Sequence, residues 1–284
     1  MDYTMTELIH AAKGSSIAAV AKALQAEDSG LSLQEVEQKM ARQLQAMHES
    51  IASGLNPDLR SVSGMAGGQA AKMHAAIQNR KALSGTLLGK AIAYALAVAE
   101  CNACMGKIVA APTAGACGIL PGALFSAQED KGYSDAALVD ALFTAAAVGS
   151  VIAQEATISG AEGGCQAESG SAAAMTAAAL VELSGGTPQM AADACSFALM
   201  NSMGLVCDPV GGLVEVPCVY RNVGGIANAI TAAEMALCGI RCPIPPDEVI
   251  LAMKEVGDAM PSSLRETGEG GCANCPSMRA KFRI

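Results

Sequence analysis

Large aromatic side chains are nearly missing from this sequence, which has no tryptophan, four phenylalanines and four tyrosines among 284 residues. A core for a chain of this length must therefore be filled by alanine, leucine, isoleucine, valine and the 15 methionines. Small side chains allow helices to pack at short distances. The length is sufficient to bury a sizeable core, and we predict a single helical domain over residues 1–284.

Positive charge is also scarce, since 18 lysines and arginines face 27 aspartates and glutamates and the formal net charge is −9. Binding to nucleic acid or to an anionic membrane surface requires a basic patch, so we expect neither partner. The N-terminus lacks the basic and apolar segments of a signal peptide. The longest uncharged run, 108–128, contains Pro112 and Pro121 and does not resemble a membrane helix. We expect a cytoplasmic protein.

Signals for helix starts recur along the chain. Thr4–Glu7 and Ser32–Glu35 are capping boxes, and Thr187–Pro188 is a further helix start. Ser134 precedes a long apolar helix through Ala153, which we expect at the centre of the fold. No sustained alternation of β-branched residues appears. The sequence predicts an all-α fold, a helical bundle around a central apolar helix.

Eleven cysteines in a cytosolic chain are expected to be mostly reduced, which leaves metal binding or burial as their roles. Cys165, Cys207 and Cys218 each lie in a loop bent by glycine or proline at a helix end, with Ser169 or Ser171 as the predicted cap of the helix after Cys165. Loops at the ends of packed helices can hold a metal centre rigidly and leave one side open.

The other cysteines are less suitable metal ligands. Cys101 and Cys104 lie in an apolar helical run, where a buried thiol behaves as a small hydrophobic group. Cys117, Cys195 and Cys238 also have sequence contexts typical of a core.

Two helix starts have the composition of anion sites. Ser63–Gly68 is rich in glycine, so that successive backbone N–H groups can face a carboxylate, although it can equally be a linker. Thr113–Gly115 offers a hydroxyl and small residues before the next helix. Arg221 and Asn222 follow Cys218 closely; the alternative for Arg221 is a surface ion pair.

Five motifs, in this order, resemble the alpha chain of the iron–sulfur-dependent L-serine dehydratases, also called L-serine ammonia-lyases. They are Ser63–Gly68, Ala111–Gly115, Gly160–Glu168, Leu205–Cys218 and Leu264–Gly271. The similarity covers nearly the whole chain, and motifs of this length are far more specific than a lone Cys-x-x-Cys.

The resemblance implies a lyase of serine catabolism and gluconeogenesis that converts L-serine to pyruvate and ammonia. It implies an oxygen-sensitive [4Fe–4S] cluster held by Cys165, Cys207 and Cys218. Three thiolates leave one iron open, and this iron can act as a Lewis acid on the serine hydroxyl. In the two-chain version of this family a separate beta chain completes the enzyme, as a heterodimer or a larger assembly.

A bound serine also needs a clamp for its carboxylate and a base for its α-proton. The candidates for substrate binding are Ser63, Gly64, Gly67, Gly68, Thr113, Gly115, Arg221 and Asn222. The base is unassigned: His10, His48 and His74 lie apart from the motifs, and Glu162 and Glu168 are more suited to supporting the loop of Cys165. We predict that the base comes from the beta chain.

Several alternatives remain. A pyridoxal-phosphate lyase would need a Schiff-base lysine in alternating strands and helices, and Lys72, Lys90 and Lys107 lack that context. A redox chain would use the cluster only to carry electrons. L-cysteine desulfidase and L-threonine dehydratase are the neighbouring activities. Cys272–Cys275 departs from the family pattern; it is an exposed pair without a function, or one of its thiols closes the open iron.

Overall fold

The computed structural model describes residues 3–81 and 83–282, and within them the fold is all-α, as predicted. The α-helices are Met5–Ala11 (α1), Ile17–Ser29 (α2), Leu33–Gly54 (α3), Gln69–Gln78 (α4), Gly85–Ala103 (α5), Ile119–Lys131 (α6), Asp135–Glu155 (α7), Gly160–Gly163 (α8), Ser171–Leu183 (α9), Pro188–Met200 (α10), Cys218–Leu237 (α11), Pro246–Ala259 (α12) and Pro276–Phe282 (α13). The described residues form no strand, and one isolated bridge pairs Cys207 with Arg265.

Local capping explains several of these helix starts. The side chains of Thr4 and Ser32 each accept a hydrogen bond from the backbone three residues on, and Glu7 and Glu35 return it, so both predicted capping boxes are confirmed. Ser134 caps α7 through the N–H of Ala137. Thr187 caps α10 in the same way and is followed by proline at the first helical position.

Carboxylates from other helices also bind N-terminal N–H groups of α1, α2 and α4. Asp247 of α12 accepts from the N–H of Met5 at 2.6 Å, and Glu182 of α9 accepts from the N–H of Ile17 at 2.6 Å. Glu100 of α5 accepts from the N–H groups of Gln69 and Ala70 at the start of α4. Each carboxylate satisfies helix N–H groups that have no partner within the helix and interacts favourably with the helix dipole. These contacts join segments that are distant in sequence.

Helices α7 and α9 occupy the centre. The predicted apolar helix is buried over most of its length, and α9 beside it is buried at every position from Ser171 to Val181. Close approach elsewhere depends on glycine. A Cβ placed at Gly54 of α3 would lie within 2 Å of the Ala97 carbonyl oxygen of α5, and one at Gly118 would lie 2.3 Å from the Ala95 carbonyl oxygen. The small side chains therefore allow the short helix contacts that the composition predicts.

Three local predictions are wrong. Neither Ser169 nor Ser171 caps α9, because a π-helical turn, Gln166–Gly170, runs directly into it. Helix α11 begins at Cys218 itself, where the sequence predicts a loop, and continues through Gly224 and Gly225. Cys238, at the end of α11, is exposed and not part of the core.

Helix α7 is the one helix in the described part of the chain that is long and apolar enough to cross a membrane by length and composition. About two thirds of its most apolar window is buried inside the fold. A core helix of a globular protein has the same properties.

Candidate functional site

The three predicted cysteines come from three separate elements. Cys165 lies between α8 and the π-helical turn, Cys207 forms the bridge with Arg265, and Cys218 is the first residue of α11. All three are free and buried, with exposed fractions of 3%, 3% and 9%. The sequence predicted this loop placement for Cys165 and Cys207, whereas Cys218 starts a helix.

The structure brings these thiols into one neighbourhood. Burial, together with the nearby Cys165 and Glu168, raises the pKa of Cys218 to about 12. Burial also raises the pKa of Cys207, together with Glu168, Cys165 and Cys218. The three thiols therefore lie close enough together for the charge of one to change the pKa of another. Three such buried thiols remain protonated in the absence of a cation, and a metal centre would be needed to stabilise them as thiolates.

Glu168 lies among the thiols. The Cys207 thiol donates to its Oε2 with 3.8 Å between Sγ and oxygen, and a Cβ at Gly160 would be 2.6 Å from the same oxygen. Burial raises the pKa of this carboxyl. Thr113 is close enough to lower the pKa of Glu168. The Thr113 hydroxyl is buried and forms no hydrogen bond of good geometry with any described residue.

Arg221 supplies the positive charge of the site. Its Nη2 donates to Asp208 Oδ1 at 2.6 Å, and the side chains are 14% and 2% exposed. Arg221 therefore forms an ion pair, as its alternative role has it, but with a buried carboxylate and not at the surface. Burial raises the pKa of Cys165, and Arg221 opposes that rise. The Nη1 group of Arg221 is buried and makes no hydrogen bond to any described residue.

Asn222 connects the Thr113–Gly115 loop to the first turn of α11 through hydrogen bonds. Its Nδ2 donates to the carbonyl oxygens of Gly115 at 2.7 Å and Cys218 at 2.9 Å, while its Oδ1 accepts from the N–H of Gly118 at 2.8 Å. The Thr113–Gly115 loop is thereby held beside the first turn of α11. These bonds occupy both N–H donors of the amide, so Asn222 positions the loop; substrate binding by Asn222 stays a prediction.

The Ser63–Gly68 loop already binds a carboxylate of the protein. Glu100, fully buried, accepts from the N–H groups of Gly67 at 3.0 Å, Gln69 at 3.0 Å and Ala70 at 3.1 Å. The loop is therefore an anion site, as its composition indicated, and its N–H groups at 67, 69 and 70 are occupied. Substrate binding by Gly64, Gly67 and Gly68 stays a prediction.

Ser63 joins the same loop to the cysteine region. Its hydroxyl and that of Ser61 both donate to Oε2 of Glu215 at 2.6 Å. Glu215 is 4% exposed and lies between Cys207 and Cys218 in sequence. No signal in the sequence indicates Glu100, whereas Asp208 and Glu215 fall within the motif Leu205–Cys218.

A groove of about 530 Å³ opens beside the thiols. Its lining residues include Ser169, Leu205, Tyr220, Arg221 and Gly224. The Ser169 hydroxyl is 3.1 Å from the Cys165 sulfur, so the groove reaches the edge of the site. A second groove of equal volume, between α3 and α7, is lined by Glu37, His48 and other residues that have no part in the site.

The remaining candidates lie elsewhere. His48 packs against Phe125 with 5.1 Å between ring centroids, His74 packs against Tyr94, and His10 is exposed. Cys101 is buried in α5, and its thiol donates to the Lys107 carbonyl at 3.7 Å. Like Cys101, both Cys117 and Cys195 are buried, as predicted.

Three buried free thiols are the type of ligand that an iron–sulfur cluster requires. Among the described residues, no three histidine, cysteine or acidic side chains are arranged to hold one metal ion. A cubane binds each thiolate through a different iron, so its ligands stand farther apart than those of one ion. Three buried free thiols, with an unpartnered guanidinium N–H group beside them, match such an anionic cluster.

Comparison with known proteins gives consistent matches. The model of the family described as "Serine dehydratase alpha chain" matches residues 12–273. The chain is 50% identical over 246 residues to the probable L-serine dehydratase alpha chain of Bacillus subtilis, covering 87% of this chain and 82% of the relative. It is 45% identical over 240 residues to the L-serine dehydratase alpha chain of Peptoniphilus asaccharolyticus, covering 84% and 82%.

A third relative is considerably longer. The L-serine dehydratase TdcG of Escherichia coli is 37% identical over 252 residues, which cover 84% of this chain but 54% of the relative. Nearly half of that protein thus has no counterpart in the matched region.

Proposed function

The chain belongs to the serine dehydratase alpha chain family, and we propose that it dehydrates and deaminates L-serine to pyruvate and ammonia with a [4Fe–4S] cluster. The observation that carries the proposal is the group of three buried thiols beside Arg221 and Glu168. Cys165, Cys207 and Cys218 would hold the cluster. When bound with only three protein ligands, it supplies an open Lewis-acidic iron for the substrate hydroxyl.

The residues around the thiols set the local charge and hold the loops of this site in position. Arg221 places a fixed positive charge next to Cys165, which favours the thiolate and balances the negative charge of a cluster. Asp208 holds Arg221 in place, and Asn222 holds the Thr113–Gly115 loop. The Thr113 hydroxyl, which lies next to Glu168 and has no hydrogen bond of good geometry to a described residue, is a donor for the substrate carboxylate.

The α-proton must be removed by a group that the described histidines do not supply, since His48 and His74 pack against aromatic rings away from the thiols. The proposal assigns the base to a beta-type chain. Support comes from the two alpha-chain relatives, which this chain matches over 82% of their length, and from the longer relative, in which the additional sequence is part of the same protein.

An exposed apolar surface next to the site suits such a chain. Val62, with an exposed fraction of 95%, is flanked by the two serines that bind Glu215. Leu213 and Val214, exposed by 36% and 41%, directly precede Glu215, so all three exposed apolar residues adjoin the contact between Glu215 and the two serines. A contiguous exposed apolar patch is typical of a protein interface.

The reaction is assigned to the cytoplasm, where cysteines remain reduced.

The test is anaerobic reconstitution of the chain with iron and sulfide, followed by a pyruvate assay with L-serine, with and without a co-expressed beta-type chain. Pyruvate is expected only when both chains are present. Full turnover by this chain alone would contradict the assignment of the base. No pyruvate from the iron-loaded pair would contradict the reaction, and parallel assays with L-threonine and L-cysteine identify the neighbouring activities.

A further inference from the structure

The C-terminal segment crosses the loop that carries Cys207. The N–H of Cys207 donates to the Leu264 carbonyl at 2.9 Å, and the Cys207 carbonyl accepts from Glu266 at 2.7 Å. Farther on, the N–H of Cys272 donates to Asp208 Oδ2 at 2.5 Å. Cys272 and its neighbour Cys275 are exposed free thiols, so a pair of accessible cysteines is attached to the edge of the site.

The backbone holds these two cysteines in one tight turn. Gly271–Asn274 is a 3₁₀-helix, and the N–H of Cys275 donates to the Cys272 carbonyl at 3.2 Å. In a 3₁₀-helix the side chains three residues apart are aligned, and a rise of about 2 Å per residue separates their Cα atoms by about 6 Å. This separation lies inside the range of roughly 4.4–6.8 Å that a disulfide spans.

We propose that Cys272 and Cys275 are a reversible dithiol–disulfide pair that responds to the thiol redox state of the cell. The proposal does not depend on the cluster or on the serine reaction. One cysteine thiolate attacks glutathione disulfide and releases one glutathione; the second attacks the mixed disulfide and releases the other. Two electrons pass from the pair to the glutathione disulfide, and the two cysteine protons end on the two glutathione thiols.

The position of the pair gives its oxidation a structural consequence. In the reduced chain the Cys272 thiol lies next to Asp208, and burial followed by hydrogen bonding to Asp208 raises its pKa. Asp208 also accepts from Arg221, which faces Cys165. Disulfide formation constrains the turn that carries the Cys272 N–H, which donates to Asp208. The redox state of the pair is thereby transmitted to the group that orients Arg221.

The experiment uses the full chain, purified anaerobically and equilibrated with defined ratios of reduced to oxidised glutathione. Free thiols are blocked with N-ethylmaleimide before trypsin digestion and mass spectrometry. Both cysteines fall on the tryptic peptide 266–279, whereas the exposed Cys238 is the single cysteine of the peptide 222–241. As the oxidised fraction rises, we expect peptide 266–279 to lose both maleimide additions and two hydrogen atoms without gaining glutathione.

Cys238 and two variants provide the controls. Cys238 has no partner within its turn and should form only a mixed disulfide with glutathione. In Cys272→Ser and Cys275→Ser chains the remaining cysteine should do the same, and dithiothreitol should restore both maleimide additions in the wild type. The proposal is overturned if peptide 266–279 carries two maleimides, or one or two glutathiones, at the ratio that converts Cys238 to its mixed disulfide.

Discussion

Arg221 donates from Nη2 to Oδ1 of Asp208 across 2.6 Å beside the three thiols, and the two side chains are 14% and 2% exposed. Replacing Arg221 with glutamine leaves the Asp208 charge buried without its partner, which typically costs about 3–5 kcal/mol. We expect a decrease of about 3 kcal/mol in the free energy of unfolding, measured by urea denaturation of the metal-free chain. The matched control is Lys254→Gln in the exposed Lys254–Asp258 pair, which should change it by less than about 0.5 kcal/mol.

Glu100 maintains the Ser63–Gly68 loop. Alanine at this position removes the acceptor of three backbone N–H groups and leaves them without a partner in a buried site. A fully buried N–H group without an acceptor costs about 1–3 kcal/mol. Because three such groups lose their acceptor, Glu100→Ala should destabilise the chain by about 3 kcal/mol or more. Hydrogen exchange should accelerate at residues 67–70. Glu255→Ala, on the exposed face of α12, should do neither; an equal effect of the two variants would contradict a structural role for Glu100.

Glu168 should make the metal-free chain less stable at neutral pH. Burial raises its pKa in the folded state, so the folded chain takes up a proton at a higher pH than the unfolded chain does. Its unfavourable contribution is complete above the folded pKa and disappears as the pH falls below the unfolded pKa. Glu168→Gln should therefore raise the free energy of unfolding at pH 8, and the gain should decrease toward pH 4. Glu162→Gln, at an exposed position, is the control, and a gain that is constant with pH would contradict this assignment.

The apolar surface of Val62, Leu213 and Val214 should bind the beta-type chain. Val62→Asp places a charge in that interface and should weaken complex formation at least about tenfold, measured by titration calorimetry with the beta-type chain. Leu83→Asp is the control, because Leu83 is equally exposed but lies before α5, roughly 20 Å along that helix from the Glu100 contact. Equal affinities of the two variants would place the interface elsewhere.

Much of the fold follows from short-range signals in the sequence. Capping by Thr4, Ser32, Ser134 and Thr187 depends on residues within three positions, which is why these helix starts could be predicted. The absence of strand alternation similarly indicated the all-α class. The start of α9 was wrong because the chain enters it through a π-helical turn, for which Gln166–Gly170 carries no recognisable signal.

The hydrogen bonds and ion pairs that connect the residues of the site could not be predicted. Glu100 lies 31 residues from the Gln69 N–H that it binds, Asp208 lies 13 residues from Arg221, and Asp208 lies 64 residues from Cys272. Such partners are chosen by the packing of whole helices and not by local sequence. The sequence distinguishes the three cysteines because their glycine- and proline-rich surroundings differ from the helical contexts of Cys101 and Cys195. Cys238 was misassigned because a helix end can face solvent even in an apolar segment.

The most direct test of the central claim is the iron content of the chain after anaerobic reconstitution with iron and sulfide. About four irons per chain are expected for the wild type and for Cys238→Ser, with the broad visible absorption of an iron–sulfur cluster. Cys165→Ala, Cys207→Ala and Cys218→Ala should each lose most of the iron and that absorption. Retention of about four irons when any two of these three cysteines are replaced together would contradict the account.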